Sequence, residues 1–440
     1  MSTPPRPGPV ARVGAALRRT FRSLRVRNYR LWFIGQTISV SGMWMQATGQ
    51  DWLVLRLTHS PVALGITAAL QFLPVLVLGA YGGVIADRFD KRRVLVVTQI
   101  LFLLQALALG ALVAMGAVQL WMIWALALAL GLVNVFDNPT RQSFAIEMVG
   151  ADDLANAVGL NSVIVNGSRV VGPAIAAVLM VSAHTVTGLA WVFFVNAATF
   201  AAVLVALFLM HPAELHRAAR VPPARGQVRE GLRHAWGRWE LRIPLLMMAV
   251  IGALAFNFTV LLPLYSSDVF HRGTGSSGAG GFGILLTTMG VGALAGSLGV
   301  ASRRRPRFRL LILVTFAFGA LSLGVALAPT FGAAVVLLAP TGAAGVAFIA
   351  LANTLIQLHS DAQMRGRVMA LWAIVFLGST PIGAPLAGLV AAHLGARAAL
   401  GMGAVATLLA AAYGTAALRR IRAEERRREP AGACESHAAG

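Results

Sequence analysis

The chain has 440 residues, of which 57% are hydrophobic and 12% charged, with a formal net charge of +21. Ordinary soluble domains carry about 25% charged residues, and a soluble fold of this length would leave large apolar patches in water. The basic excess lies in short Arg clusters between long apolar runs, with no nucleic-acid-binding motif, which excludes a soluble globular protein and argues against a nucleic-acid partner.

In chain order, the apolar runs predict a basic N-terminal tail at 1–30 and spans at 31–55, 62–86, 94–116, 119–140, 160–182 and 189–210. Each is about as long as a bilayer is thick. The first run is too long for a signal peptide and lacks a small-residue cleavage site, so it reads as a retained helix. These spans make an N-terminal half at 31–210. A hydrophilic stretch at 211–242 follows, with His211, Pro212, Pro222, Pro223 and seven Arg residues. It reads as a solvated linker holding one amphipathic helix near 226–240. Spans at 243–265, 279–301, 310–328, 331–358, 368–392 and 397–418 make a C-terminal half at 243–418, and 419–440 is a tail. Pro340, Gly342 and Gly345 interrupt the tenth span. In lipid every backbone polar group needs an internal partner, so the expected fold class is all-α, a polytopic bundle of twelve transmembrane helices.

Orientation follows from the cations. With both termini cytoplasmic, 33 of the 37 Lys and Arg residues fall in cytoplasmic segments, while Arg56, Arg272 and Arg397 lie outside and Arg169 lies within a span. That asymmetry is the positive-inside pattern. It predicts a multi-pass protein of the cell membrane whose basic segments meet anionic lipid headgroups. Cys434, in the tail, is the only cysteine, which excludes disulfides within the chain and cysteine-based metal sites.

Internal similarity divides the chain in two. Asn138-Pro139-Thr140-Arg141-Gln142 at the end of span 4 corresponds to Asn353-Thr354-Leu355-Ile356-Gln357 at the end of span 10. Gly167 through Gly172 in span 5 corresponds to Gly378 through Gly383 in span 11. Gly83 through Arg88 corresponds to Gly299 through Arg304. Parallel repeats of this kind imply a pseudo-two-fold axis along the membrane normal and a site near mid-membrane around which the halves rock. Asn138, Gln142, Asn353 and Gln357, with Arg365 and Arg367, are candidate gate residues.

Several stretches resemble a known family. Gly83-Val84-Ile85-Ala86-Asp87-Arg88-Phe89-Asp90-Lys91-Arg92-Arg93 resembles the loop 2–3 signature of the major facilitator superfamily. Span 5, with Gly172-Pro173 and the small Ala176 and Ala177, is similar to the motif of that superfamily's antiporters. Asn28-Tyr29-Arg30-Leu31-Trp32-Phe33, Asn138 through Gln142, Leu261-Leu262-Pro263-Leu264 and Arg365 through Leu371 are similar to its branch of enterobactin-exporter and macrolide-efflux-like proteins. The resemblance spans about residues 21–418. It implies two pseudo-symmetric six-helix halves and transport by alternating access. It also implies that Asp87 latches the cytoplasmic side against the positive end of span 11. Arg88, Lys91 and Arg92 would then pair with nearby acids, Asp137 foremost; as ordinary positive-inside charges they need no such partners. Span 4 lacks the mid-span Arg of many drug/proton antiporters, a departure from that pattern.

Arg169 is the only charge deep in a span, and an ion at that depth marks a functional site by default. Ser162, Asn166, Arg169 and Pro173 share one helical face, while Ser168, Gly172 and Ala176 form a small-residue row suited to close helix contact. Arg169 serves either substrate and coupling or a structural bond to loose carbonyls between helices 5 and 8. In span 1, Gln36, Ser39, Met43, Gln46 and Gln50 form a polar stripe of the kind that lines a wet cavity. Asp51, about 100° round from Gln50, is either a coupling group or an interfacial cap. Trp44, Trp52, Phe256, Phe258, Trp372 and Phe376 are candidate cavity walls, or face lipid and core.

Lys91 is the only lysine and no glycine-rich phosphate loop precedes it, so there is no Walker A site. No His-Glu-x-x-His motif or nucleophile elbow is present, and His59, His184 and His271 have no helical pairing suited to a metal. No cofactor, metal or catalytic residue is therefore expected, and the chain does not read as an enzyme. It reads as a monomeric, proton-coupled exporter of a hydrophobic or amphipathic small molecule, drug-like or siderophore. Facilitated or symport uptake of a small nutrient and a non-transporting receptor are the rival readings.

Overall fold

The computed structural model describes residues 22–182, 185–216, 227–270, 276–301, 307–361 and 364–435, and among these every regular element is a helix. The first six long helices are α1 (Arg27–Thr58), α2 (Pro61–Arg88), α3 (Lys91–Ala114), α4 (Leu120–Gly150), α5 (Asn156–Ser182) and α6 (Ala190–Leu209). A short linker helix, Gln227–Gly237, precedes the rest. These are α7 (Trp239–Val269), α8 (Ser276–Ala301), α9 (Phe308–Leu327), α10 (Phe331–His359), α11 (365–394) and α12 (396–421).

Among the described residues, ten stretches are long and apolar enough to cross a membrane. The last of these, Arg365–Ile421, is two crossings, because Gly395 turns the chain at φ 84° and ψ 163°. The twelfth crossing is α1, which falls short on hydropathy because amides and Asp51 interrupt it. Twelve crossings make this a polytopic α-helical membrane protein, as the apolar runs predict.

The fourth helix runs ten residues past the predicted end at 140. Apolar patterning stops near Phe136, but the polar turns beyond it remain helical because their charged side chains find partners within the fold. Gly150 ends it at φ 72° and ψ −177°, a backbone conformation that glycine alone adopts without strain.

The chain forms two compact units. One comprises Met1–His59, Leu70–Pro223 and Thr274–Thr287; the other comprises Ser60–Ala69, Ala224–Gly273 and Thr288–Gly440. In the first, Trp32 meets Phe144 edge-on with centroids 5.6 Å apart, among Leu95, Met148 and Leu207. Phe102 stacks on Phe200 at 5.3 Å. In the second, crossings rest on glycine. A Cβ on Gly292, Gly342 or Gly383 would overlap the carbonyl oxygen of Ala339, Met289 or Ala253 respectively. Small residues bring helix backbones close where the hydrophobic effect offers no drive between helices.

Candidate functional site

The turn from α2 to α3 is held to its own unit by specific pairs. Asp90 caps α3 by accepting from the Arg93 backbone N–H at 3.0 Å. Lys91 Nζ lies 2.5 Å from Glu147 Oε1 on α4. Arg92 Nε donates to the Leu207 carbonyl on α6 at 2.8 Å. Arg88 is exposed, and the side chain of Asp87 lies outside the described residues.

Asp137 is not the partner of these cations, contrary to expectation. It is fully buried, and its carboxylate accepts from Thr98 Oγ1 at 2.8 Å, Gln99 Nε2 at 3.0 Å and Arg141 Nε at 2.9 Å. Arg141 reaches on to Gln36 Oε1 at 2.6 Å. Because α4 stays helical past Pro139, Arg141 falls one turn after Asp137 on the same face, nearer than any cation of the α2–α3 turn. The spacing Asp137-x-x-x-Arg141 was the available signal; at a predicted span end, Arg141 read only as a positive-inside charge.

The polar stripe of α1 also departs from expectation. Gln36, Ser39, Gln46 and Gln50 are buried inside the unit and do not line open space. Gln46 donates to Gln105 of α3 at 2.9 Å and accepts from Asn196 of α6 at 2.7 Å. The physical reason is that amides in lipid are satisfied by other helices. Asp51 is half-buried and has no hydrogen-bond or ion-pair partner among the described residues. It lies two turns after Trp44 on the same helical face.

Against α1 lies the small-residue row of α5. Ser41 and Ser168 hydroxyls are 3.0 Å apart, and a Cβ on Gly172 would stand 2.5 Å from Trp44 Cβ. This crossing sets the guanidinium of Arg169 over the Trp44 ring, with Cζ 5.3 Å from its centroid. Arg169 Nε is sealed from solvent and lacks a hydrogen-bond partner. On the same face of α5, Asn166 donates back to the Ser162 carbonyl at 2.8 Å, Ser162 is exposed and Pro173 is buried. Further along, Ala176 is fully buried and Ala177 abuts Gly283 of α8.

The resembling stretch at the start of α1 acts as a clamp. Asn28 exchanges two 3.0 Å hydrogen bonds with the His211 backbone, and Tyr29 Oη donates to the Ala157 carbonyl at 2.9 Å. Of the repeat-related residues, Asn138, Gln142, Gln357 and Arg365 are exposed, whereas Asn353 and Arg367 are half-buried. Gln357 donates to Asn353 at 3.2 Å. In the second unit Arg397 donates to the carbonyls of Ala326 and Ala328 at 3.0 and 2.8 Å. Of the aromatic candidates Trp52, Phe258 and Trp372 are buried and Trp44, Phe256 and Phe376 half-buried; Trp52 stacks on Phe282, Phe256 on Phe318 and Trp372 on Phe376.

Residues 18–433 match the family model described as transmembrane secretion effector. The chain is 30% identical over 290 residues to the staphyloferrin A transporter of Staphylococcus aureus, covering 64% of this chain and 70% of that protein. It is 27% identical over 347 residues to the multidrug efflux pump Tap of Mycobacterium tuberculosis, covering 77% and 80%. It is 25% identical over 369 residues to the enterobactin exporter EntS of Salmonella paratyphi A, covering 82% and 84%. The fold is that of a bacterial homologue of the human lysosomal transporter Spinster, with a TM-score of 0.71 at 14% identity over 90% of this chain and 97% of the other.

Proposed function

Because the chain belongs to the transmembrane secretion effector family, a branch of the major facilitator superfamily, we propose that it exports an amphipathic small molecule, siderophore or drug-like, in exchange for protons. In this reading it sits in the cell membrane with both termini cytoplasmic, and the α2–α3 turn with Asp87 serves as the cytoplasmic latch. The names of the relatives, one an exporter and one an efflux pump, support the direction.

The observation that carries the reading is a contrast among intramembrane charges of the first unit. Asp137 and Arg141 neutralise one another, whereas Arg169 and Asp51 have no ionic partner among the described residues. Charges at membrane depth are expensive. Unpaired ones persist where ligand or proton completes them. Asp51 is the proton carrier in this scheme: loading neutralises it, and release renews the charge for the next cycle. Arg169 is the residue that meets substrate.

The test is transport by purified protein in inside-out vesicles, with a compound panel and an imposed pH gradient. Accumulation of at least one amphipathic compound that collapses with the gradient is the expected result. Uptake in the opposite sense, or accumulation indifferent to the gradient, overturns the proton-driven export reading.

A further inference from the structure

The environment of Arg169 specifies which amphiphile. Arg169 is the midpoint of the helix Asn156–Ser182, about 20 Å of helix from either end. No arginine stem snorkels that far. Two other arginines of the spans and their ends show how such a charge is normally satisfied: Arg141 by Asp137 and Gln36, and Arg397 by two carbonyls. Arg169 has neither arrangement. What it has is an indole face, with Cζ 5.3 Å from the Trp44 ring centroid, a cation–π contact that uses none of the guanidinium N–H groups as hydrogen-bond donors.

Of its nitrogens, Nε alone is both sealed from solvent and unpartnered, so the terminal pair is the edge left for a ligand. Two parallel N–H donors match the two oxygens of a carboxylate. The crossing also fixes the group in advance, since Gly172 seats Trp44 and the Ser41–Ser168 contact locks the register. The adjoining turns of α5 are uncovered: Ser162, two turns before Arg169 on its face, is exposed, and a Cβ on nearby Gly159 would meet nothing within 4 Å.

We infer that Arg169, presented on Trp44, is the anion acceptor of the transport site, and that the substrate is a carboxylate-bearing amphiphile, not a neutral or cationic one. This rests on the export reading and narrows it to one chemical class. An aromatic or apolar body adjoining the carboxylate would extend over the indole.

Three dansyl probes of different charge provide the test: dansylglycine, its uncharged and near-isosteric glycinamide, and the longer, cationic monodansylcadaverine. Binding is read by energy transfer from tryptophan to dansyl, with protein in zwitterionic-lipid nanodiscs and empty nanodiscs as blank. Dansylglycine should bind at least tenfold more tightly than either of the others. Arg169→Gln should reduce its affinity to that of the glycinamide while leaving the glycinamide within about twofold, and Arg169→Lys should retain part of the preference. The ranking in unaltered protein needs no variant, so a misfolded substitution cannot hide the answer. Equal affinities, absent dansylglycine binding, or a preference surviving in Arg169→Gln would each overturn the assignment. Export of the vesicle panel is measured separately and can stand while this inference falls.

Discussion

Arg141 donates from Nε to Asp137 at 2.9 Å, four residues back along α4, and from a terminal nitrogen to Gln36 at 2.6 Å. This cluster ties α4 to α1 and, through Thr98 and Gln99, to α3. Asp137→Asn keeps the shape and strands the arginine, and breaking a buried pair costs about 3–5 kcal/mol. The single variant should therefore melt well below the parent in detergent. The double variant Asp137→Asn with Arg141→Gln should recover most of the loss. Equal melting of single and double variants would show that charge pairing is not what the cluster contributes.

Gly292 and Gly401 separate steric from intrinsic effects of alanine. At Gly292 a Cβ overlaps the Ala339 carbonyl, whereas at Gly401 nothing lies within 4 Å. Gly292→Ala should destabilise by about 1–3 kcal/mol, the usual cost of overpacking. Gly401→Ala should be neutral or stabilise by up to about 1 kcal/mol through helix propensity. Thermal unfolding of both variants, measured side by side, checks the ordering.

Asp51→Asn abolishes a titrating group while preserving size. If Asp51 carries the proton, accumulation driven by a pH gradient should fall to background, while exchange of labelled for unlabelled substrate across the vesicle membrane continues. Retention of gradient-driven accumulation by the variant removes Asp51 from the coupling step.

Single cysteines placed in a Cys434→Ser background report orientation. Cysteines replacing Arg93, His211 or Arg307 should react with an impermeant maleimide only in inside-out vesicles, and one replacing Arg56 only in right-side-out cells. Labelling of the first three from outside would reverse the proposed topology.

The apolar runs made all twelve crossings legible from sequence, α1 included although amides and Asp51 interrupt it. Periodicity tells which face a residue shares but not what lies opposite. Gln36 and Gln46 therefore looked like cavity lining, yet they meet Arg141, Gln105 and Asn196 on helices distant in the chain. Arg169 stood out because a cation in mid-span is costly in lipid, whether it serves substrate or bonds loose carbonyls. Its cation–π contact with Trp44, 125 positions earlier, depends on a helix crossing that no local pattern encodes. Arg141 was missed because the apolar run ends before the helix does.

The amides of Gln46 also constrain how the protein is made. Gln105, its first partner, emerges 59 residues later, and Asn196 follows Gln46 by 150 residues. At about 5–20 residues per second of synthesis, roughly 8–30 s pass before Asn196 is translated. Throughout that interval the least apolar crossing must remain in or beside the bilayer with the Asn196 bond to Gln46 unmade. Biogenesis therefore calls for an insertase or a lipid-interface intermediate that shelters α1 until α6 arrives, and slowing translation between residues 105 and 196 should lengthen the period in which α1 can be extracted or degraded.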